Sequence, residues 1–413
     1  MTLWRNGDFC KFWAAQTISV GGSGMTQVAL PLTAVLILQA SPAQMGLLGA
    51  LEFVPFILVS LFAGVWIDRL PRRPILMGTN IGRALLLGSI PLVITLGVLR
   101  IEYLYTIVFL TGVLTVFFDV SYQAFLPSLV KPEQLVEGNS KIQASNSIAQ
   151  MAGHSLAGGL VELITAPFVI LLDAISFLFS TLFLYRIRMV ESFPVNRGQR
   201  RNIWQGILEG LQLILRNPLL FSITGSTSTD NFFYSMMMSV YLIYLTRDLG
   251  INPSIFGLIL GITSVGSLVG ALLVNRLLRR WGLGATIVGS QIIGGLGFLL
   301  IPVANGSPFI IILFLVTASF LTGLTNMTYN IPQVSLRQTI VPIRLQGRLN
   351  ATVRFIVWGT MPLGSLMGGF LGEIIGLRPT LFVGAIGALL AFLWVFLSPV
   401  RTLSTYPAAA VES

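Results

Sequence analysis

Gly64-Val65-Trp66-Ile67-Asp68-Arg69-Leu70-Pro71-Arg72-Arg73-Pro74 lies between two long apolar segments. One acid and three arginines crowd into a connection too short to be a domain. A degraded copy follows at Ala271-Leu272-Leu273-Val274-Asn275-Arg276-Leu277-Leu278-Arg279-Arg280, with Asn275 in the place of Asp68. The offset of 207 is about half of the 413 residues. The pattern predicts two similar halves, each with a basic hinge between its second and third helices.

Composition identifies the solvent around this chain. Charged residues make up 10% and hydrophobic residues 54%, whereas a soluble domain carries about 25% charge. So much apolar surface has to face lipid. The net charge of +10 does not form a nucleic-acid-binding domain, because the basic residues fall in short bursts between apolar runs. Cys10 is the only cysteine and His154 the only histidine, which argues against a disulfide or a metal site. There is no phosphate-binding loop of the ATPase type, and no cofactor or hydrolase motif, so no cofactor and no enzyme activity are expected.

A span needs about 20 apolar residues. That ruler gives twelve: 12–38, 45–66, 75–99, 103–125, 140–164, 168–185, 219–245, 255–277, 284–302, 309–330, 350–375 and 380–398. The first is expected to be a retained span rather than a cleaved signal. Of the 25 Lys and Arg residues, 20 fall on one side of this topology and 3 on the other. The bias places both termini and the basic hinges in the cytoplasm. The expected organisation is a six-helix bundle over 1–185, a cytoplasmic linker over 186–218, a second bundle over 219–400 and a tail over 401–413. Apolar positions 203, 204, 207, 208, 211, 214 and 215 in the linker follow helical spacing, which predicts an amphipathic helix on the cytoplasmic membrane surface. Two further echoes support parallel halves. Ser155-Leu156-Ala157-Gly158-Gly159 recurs as Ser365-Leu366-Met367-Gly368-Gly369, and Pro132-Glu133-Gln134-Leu135 recurs as Pro342-Ile343-Arg344-Leu345, both at an offset of 210.

Six plus six spans, a long linker and the Gly64–Arg73 pattern resemble the major facilitator superfamily. Val28-Ala29-Leu30-Pro31-Leu32, Phe117-Phe118-Asp119-Val120-Ser121-Tyr122-Gln123, Leu126-Pro127-Ser128-Leu129-Val130 and Leu172-Asp173-Ala174-Ile175-Ser176-Phe177-Leu178 resemble its bacterial exporters similar to enterobactin and macrolide efflux proteins. The resemblance implies an all-α membrane protein of two pseudo-symmetric six-helix bundles. It also implies export of a drug, macrolide or siderophore in exchange for protons, by a monomer in the bacterial cytoplasmic membrane. Two departures stand out. Span 4 lacks the arginine of many proton-coupled exporters, and His154 stands where a proline is usual. A lipid-flipping protein on the same fold, and an importer or proton-independent facilitator, remain as alternatives.

Ionisable residues inside spans are costly and mark function by default. Gly64, Asp68, Arg69, Arg72, Arg73, Arg83, Asp119 and Arg354 share the cytoplasmic level. The resemblance implies a gate there, in which the loop acid and a helix-4 acid engage the arginines and the start of helix 11. Asp230 lies roughly 16 Å into span 7 and Glu52 roughly 10 Å from the outer end of span 2. These two, with His154, are the proton-coupling candidates; for His154, a hydrogen bond to a neighbour in span 1 or span 4 is the competing role. The polar and aromatic residues Gln27, Tyr122, Gln123, Asp230, Asn231, Tyr234, Tyr241, Asn326, Tyr329 and Asn330 are the candidate substrate contacts. Asp173 is noted as a span-6 acid without a role.

Overall fold

Apolar runs that cannot leave a backbone group unpaired in lipid become helices. The computed structural model describes residues 3–67, 70–131, 134–188 and 203–407. The first half holds α1 (Gly7–Leu32), α2 (Pro42–Ile67), α3 (Arg72–Thr95), α4 (Ile101–Leu129), α5 (Leu135–Ile164) and α6 (Ala166–Tyr185). After α7 (Ile203–Arg216) come α8 (Pro218–Ile243), α9 (Pro253–Trp281), α10 (Leu283–Val303), α11 (Pro308–Ile340), α12 (Ile343–Ile374), α13 (Leu377–Leu390) and α14 (Phe392–Phe396). Each expected span coincides with one helix, the twelfth being α13 followed by α14. Ten of these are long and apolar enough to cross a membrane. The other two, α5 and α8, are diluted by polar residues such as Gln143, Asn146, Gln150 and His154, and Ser226, Thr227, Ser228, Thr229, Asp230 and Asn231.

The helix boundaries set the repeat at 211 residues. Asn6 caps α1 by accepting from the backbone N–H of Asp8 and Phe9, and Asn217 caps α8 by accepting from Leu219 and Leu220. Both helices run on into a five-residue π-helical turn, Thr33–Ile37 after α1 and Tyr244–Asp248 after α8. The pairs α2 and α9, α3 and α10, and α6 and α13 also start 211 residues apart. In this register position 68 answers to 279, one helical turn beyond the 207 offset read from the hinge. Arg276, Arg279 and Arg280 lie in α9 rather than in a loop. In the 211 register Arg72 and Arg73 answer to Leu283 and Gly284, so the arginine match at 207 is one of residue type and not of structural position.

Packing repeats in the same register. α1 packs on α5 and α6, and α3 on α4 and α6; correspondingly α8 packs on α12 and α13, and α10 on α11 and α13. By contacts the chain forms two units. One takes Met1–Ala40, Leu51–Gly198 and Ile251–Gly261; the other takes Ser41–Ala50, Gln199–Gly250 and Ile262–Ser413. The start of α2 thus belongs with the second unit and the start of α9 with the first. The first unit has an aromatic core in which Phe12 stacks on Tyr122 at 4.8 Å and lies 5.5 Å from Phe125. In the second, Ile223, Ile287, Tyr329, Leu336 and Val395 are buried together.

The linker helix α7 docks on α12. Ile214 is buried with Leu349, Val353 and Val357 of α12, and Gly210 lies against the Thr352 side chain. Glu209 and Arg348 form an ion pair. Leu208 and Leu215, on other sides of α7, stay exposed.

Two backbone positions separate the halves. Gln39 and Thr165 are non-glycine residues with φ of 50° and 67°, and their counterparts 211 residues on are Gly250 and Gly376, with φ of 62° and 89°. With ψ of 155°, Thr165 occupies a region that only glycine enters freely. Strain there is worth of order 1–3 kcal/mol. Thr165→Gly is therefore expected to raise the thermal unfolding midpoint of the purified protein, and Gly376→Thr to lower it.

Candidate functional site

In the first unit, α3 directs Arg83 inward. Its guanidinium lies 4.3 Å from the ring centre of Phe118 on α4 and 4.2 Å from that of Phe177 on α6. It donates to Asn80 Oδ1 at 2.5 Å, and Asn80 Nδ2 donates to Ser180 Oγ at 2.9 Å. Asp119 and Asp173 are the acids whose electrostatic influence reaches it. Asp173 is only 1% exposed. It accepts from Thr26 Oγ1 of α1 at 2.5 Å and from Ser176 Oγ at 3.1 Å. Gly22 makes this possible, because a Cβ there would overlap the Asp173 and Ser176 side chains. Arg83, expected at the cytoplasmic gate, is thus held inside the unit by an aromatic pair and an amide.

Further along α1, Gln27 Oε1 lies 2.7 Å from His154 Nε2 of α5, with Gln150 Nε2 at 3.5 Å. Two candidates that the sequence treated separately form one polar cluster, and the partner of His154 is a span-1 residue. Tyr122 is stacked between Phe12 and Phe118, with its hydroxyl buried and without a hydrogen bond among the described residues. Gln123 and Glu52 are exposed.

The basic hinge is divided. Arg72 Nη1 donates to the Ala124 carbonyl at 2.8 Å, tying α3 to α4. Arg73 donates to the carbonyls of Leu184 and Tyr185 at the end of α6. Asp68 and Arg69 lie outside the described residues, and of Gly64 only its place in α2 is described. Arg354 belongs to the second unit, where its guanidinium lies 4.4 Å from the ring centre of Trp358.

In the second unit α8 carries the polar face. Asp230 is half-buried, and Tyr234, one turn on, is exposed. Asn231 Nδ2 donates to the Val357 carbonyl of α12 at 3.2 Å. On α11, Asn330 Nδ2 donates to Asn326 Oδ1 at 3.2 Å, and Gln333 Nε2 to Asn330 Oδ1 at 3.1 Å. Two of the candidates are interior instead: Tyr329 is 6% exposed, with its hydroxyl 2.8 Å from Thr227 Oγ1, and Tyr241 is 5% exposed. Gln291 of α10, which no sequence pattern singles out, is buried and donates to Ser226 Oγ at 2.7 Å. Its only signal is an amide inside an otherwise apolar run.

Each unit also holds a close contact on a transferred helix start. In the first, a Cβ on Gly158 of α5 would stand 3.0 Å from the Cα of Gly257 of α9. Glu162 accepts from the backbone N–H of Ser254 at 3.2 Å and from its hydroxyl at 2.7 Å. In the second, a Cβ on Gly369 of α12 would stand 2.8 Å from the Cα of Gly46 of α2. Glu373 accepts from the backbone N–H of Ala43 at 3.3 Å, and Ser365 Oγ donates to the Gly46 carbonyl at 2.9 Å. Residues 158 and 369, 162 and 373, 43 and 254, and 46 and 257 are all 211 apart. Each carboxylate thus meets the positive end of a helix dipole.

Comparison with known proteins gives this geometry a family. The sequence profile described as transmembrane secretion effector matches residues 2–412. The uncharacterized MFS-type transporter YfiS of Bacillus subtilis is 27% identical over 88% of this chain and 86% of its own length. The multidrug efflux pump Tap of Mycolicibacterium fortuitum is 24% identical over 98% of each chain. A crystal structure of the nucleoside transporter NupG superposes with a TM-score of 0.72 at 15% identity, covering 94% of this chain and 98% of that one; this likeness concerns the fold alone.

Removing the Arg83 cation leaves Asn80 Oδ1 without its donor and forfeits two aromatic contacts. Arg83→Met is expected to cost about 2–4 kcal/mol, read as a lower unfolding midpoint, with part of the loss recovered in Arg83→Met/Asp173→Asn.

Proposed function

The chain belongs to the transmembrane secretion effector family, and from that premise we propose that it exports hydrophobic or amphipathic small molecules in exchange for protons, by alternating access. Membership makes it a multi-pass membrane transporter and not an enzyme. Similarity to Tap along nearly the whole chain supports efflux of drug-like compounds. The observation that carries proton coupling is Asp230. It is an acid within α8, half-buried, with no hydrogen bond or ion pair among the described residues and with the exposed Tyr234 one turn away. An acid not committed to a structural partner can give up its charge to a proton and regain it during transport. Asp173 and the Gln27–His154 cluster supply a second protonatable region in the first unit, and Glu52 a third. Tyr234, Asn326 and Asn330 would give a mostly apolar substrate its few polar contacts.

The reading places the protein as a monomer in the bacterial cytoplasmic membrane, with both termini cytoplasmic. Its two bundles, 1–185 and 219–400, would rock about the bound substrate. The gate on the basic-hinge side would use Asp68 and Arg69 with Asp119 and Arg354. The Glu162 and Glu373 contacts would close the opposite side, because a carboxylate on a helix N-terminus holds the contact and two facing glycines let it form.

Two experiments test this. In proteoliposomes with an imposed pH gradient and a panel of macrolides and lipophilic cations, Asp230→Asn is expected to lower gradient-driven transport between about 5-fold and 150-fold, the usual span of coupling free energies. Transport that ignores the gradient in the unmodified protein would refute antiport. Glu162→Gln and Glu373→Gln should each weaken closure by about 1 kcal/mol. Spin-label distances from α5 to α9, and from α12 to α2, should then show a larger open fraction, greatest in the double variant; unchanged distances would leave both acids as ordinary helix caps.

A further inference from the structure

A basic pocket in the first unit shares only Arg73 with the candidate residues considered so far. It has a volume of about 510 Å³ and is lined by Lys11, Arg73, Tyr185, Arg186 and Arg188. Four of the five lining residues are cations, brought together from the start of α1, the start of α3 and the end of α6. Two are fixed in place. Lys11 Nζ donates to the Arg186 carbonyl at 2.9 Å, and Arg73 Nε to the Leu184 carbonyl at 2.9 Å. The carbonyls of Leu184 and of the cap residue Arg186 thus hold two cations at the negative end of α6. The acid in contact is Asp8, which accepts from Lys11 Nζ at 2.7 Å and from the backbone N–H of Arg188 at 3.3 Å. Among the described residues that one acid leaves the four cations in excess. The side chains of Arg186 and Arg188 are exposed and form no ion pair among the described residues. An anion with several oxygens would offset this charge, and guanidinium groups suit a phosphate in particular.

The surface of α6 indicates where that phosphate comes from. Phe168, Leu172, Ile175, Phe179, Leu182 and Tyr185 are all exposed. They recur every three or four residues, so they form one apolar stripe that ends at the pocket. Tyr185, 66% exposed, stands where stripe and pocket meet, the usual place for a tyrosine at a membrane–water boundary. A soluble phosphate would use the pocket and have no use for the stripe. We propose that the pocket holds the phosphate of an anionic phospholipid whose acyl chains lie along the exposed stripe of α6. Basic pockets beside spanning helices recognise lipid headgroups through this chemistry. The proposal does not depend on which compound is exported or on proton coupling.

The test compares thermal unfolding in nanodiscs of phosphatidylglycerol and of phosphatidylcholine, with native mass spectrometry counting retained lipid. Phosphatidylglycerol is expected to raise the midpoint and to remain bound. Arg186→Gln/Arg188→Gln should abolish most of that rise, and Arg186→Lys/Arg188→Lys should retain part of it. Arg279→Gln/Arg280→Gln removes the same charge from the second unit and should keep the full effect. An equal loss in that control would reduce the effect to diffuse surface charge and overturn the pocket. Inorganic phosphate added to phosphatidylcholine nanodiscs should not reproduce the rise. If it does, the lipid assignment fails and the pocket takes a soluble anion. Absence of any difference between the two lipids would also overturn the proposal.

Discussion

Inside a bilayer no water is available to satisfy a backbone N–H or carbonyl, so every spanning segment must bond to itself. The rest of this structure depends on that constraint. Once all segments are helices, the remaining freedom is how closely and at what rotation they meet. Without a strong hydrophobic drive between helices in lipid, contact is won by van der Waals fit and small residues. Gly22 lets α6 bring Asp173 against α1. Gly158 with Gly257, and Gly369 with Gly46, bring two backbones together where any side chain would collide. The same constraint explains the caps. Asn6, Asn217, Glu162 and Glu373 each satisfy helix N-terminal donors that lack an intrahelical partner.

Repetition of the design at 211 residues separates what both halves need from what one half uses. Caps, π-helical turns, packing partners and the glutamate contacts occur in both. The buried Arg83 with its aromatic pair and Asp173 belongs to the first unit, while the polar face of Asp230, Tyr234, Asn326 and Asn330 belongs to the second. Backbone strain is unequal as well. Gln39 and Thr165 occupy conformations that Gly250 and Gly376 adopt without a Cβ penalty. A scaffold that repeats and contents that do not is what a transporter of two similar bundles requires if its solutes are handled asymmetrically.

Much of the candidate site was legible from single residues, because a charge or amide in an apolar run stands out wherever it lies. Arg83, Asp119, Asp230, Glu52 and His154 stand out in that way as candidates. Their partners were not legible. Arg83 meets Phe118 and Phe177 from two other helices, and His154 meets Gln27 across 127 residues of chain. Tyr329 and Tyr241 had the composition of lining residues and are packed instead, since residue type does not reveal which face of a helix is turned inward. Glu162 and Glu373 are inconspicuous in the sequence because they lie near span ends, where an acid needs no special explanation.

The sequence by itself determined the solvent, the helical class, the number of spans, the existence of a repeat and the resemblance to efflux transporters. All of these follow from composition and local apolar length, which need no knowledge of contacts. Tertiary structure decided the register of the repeat, the partners of the buried charges, the docking of α7 on α12 and the convergence of four cations at the end of α6. The reason lies in helix geometry. A shift of one residue turns a side chain by about 100° and advances it about 1.5 Å, so an alignment off by one residue pairs Gly158 with Gly368, whereas its counterpart in contact is Gly369. Apolar content tolerates such a slip; a glycine contact or a carboxylate on a helix end does not.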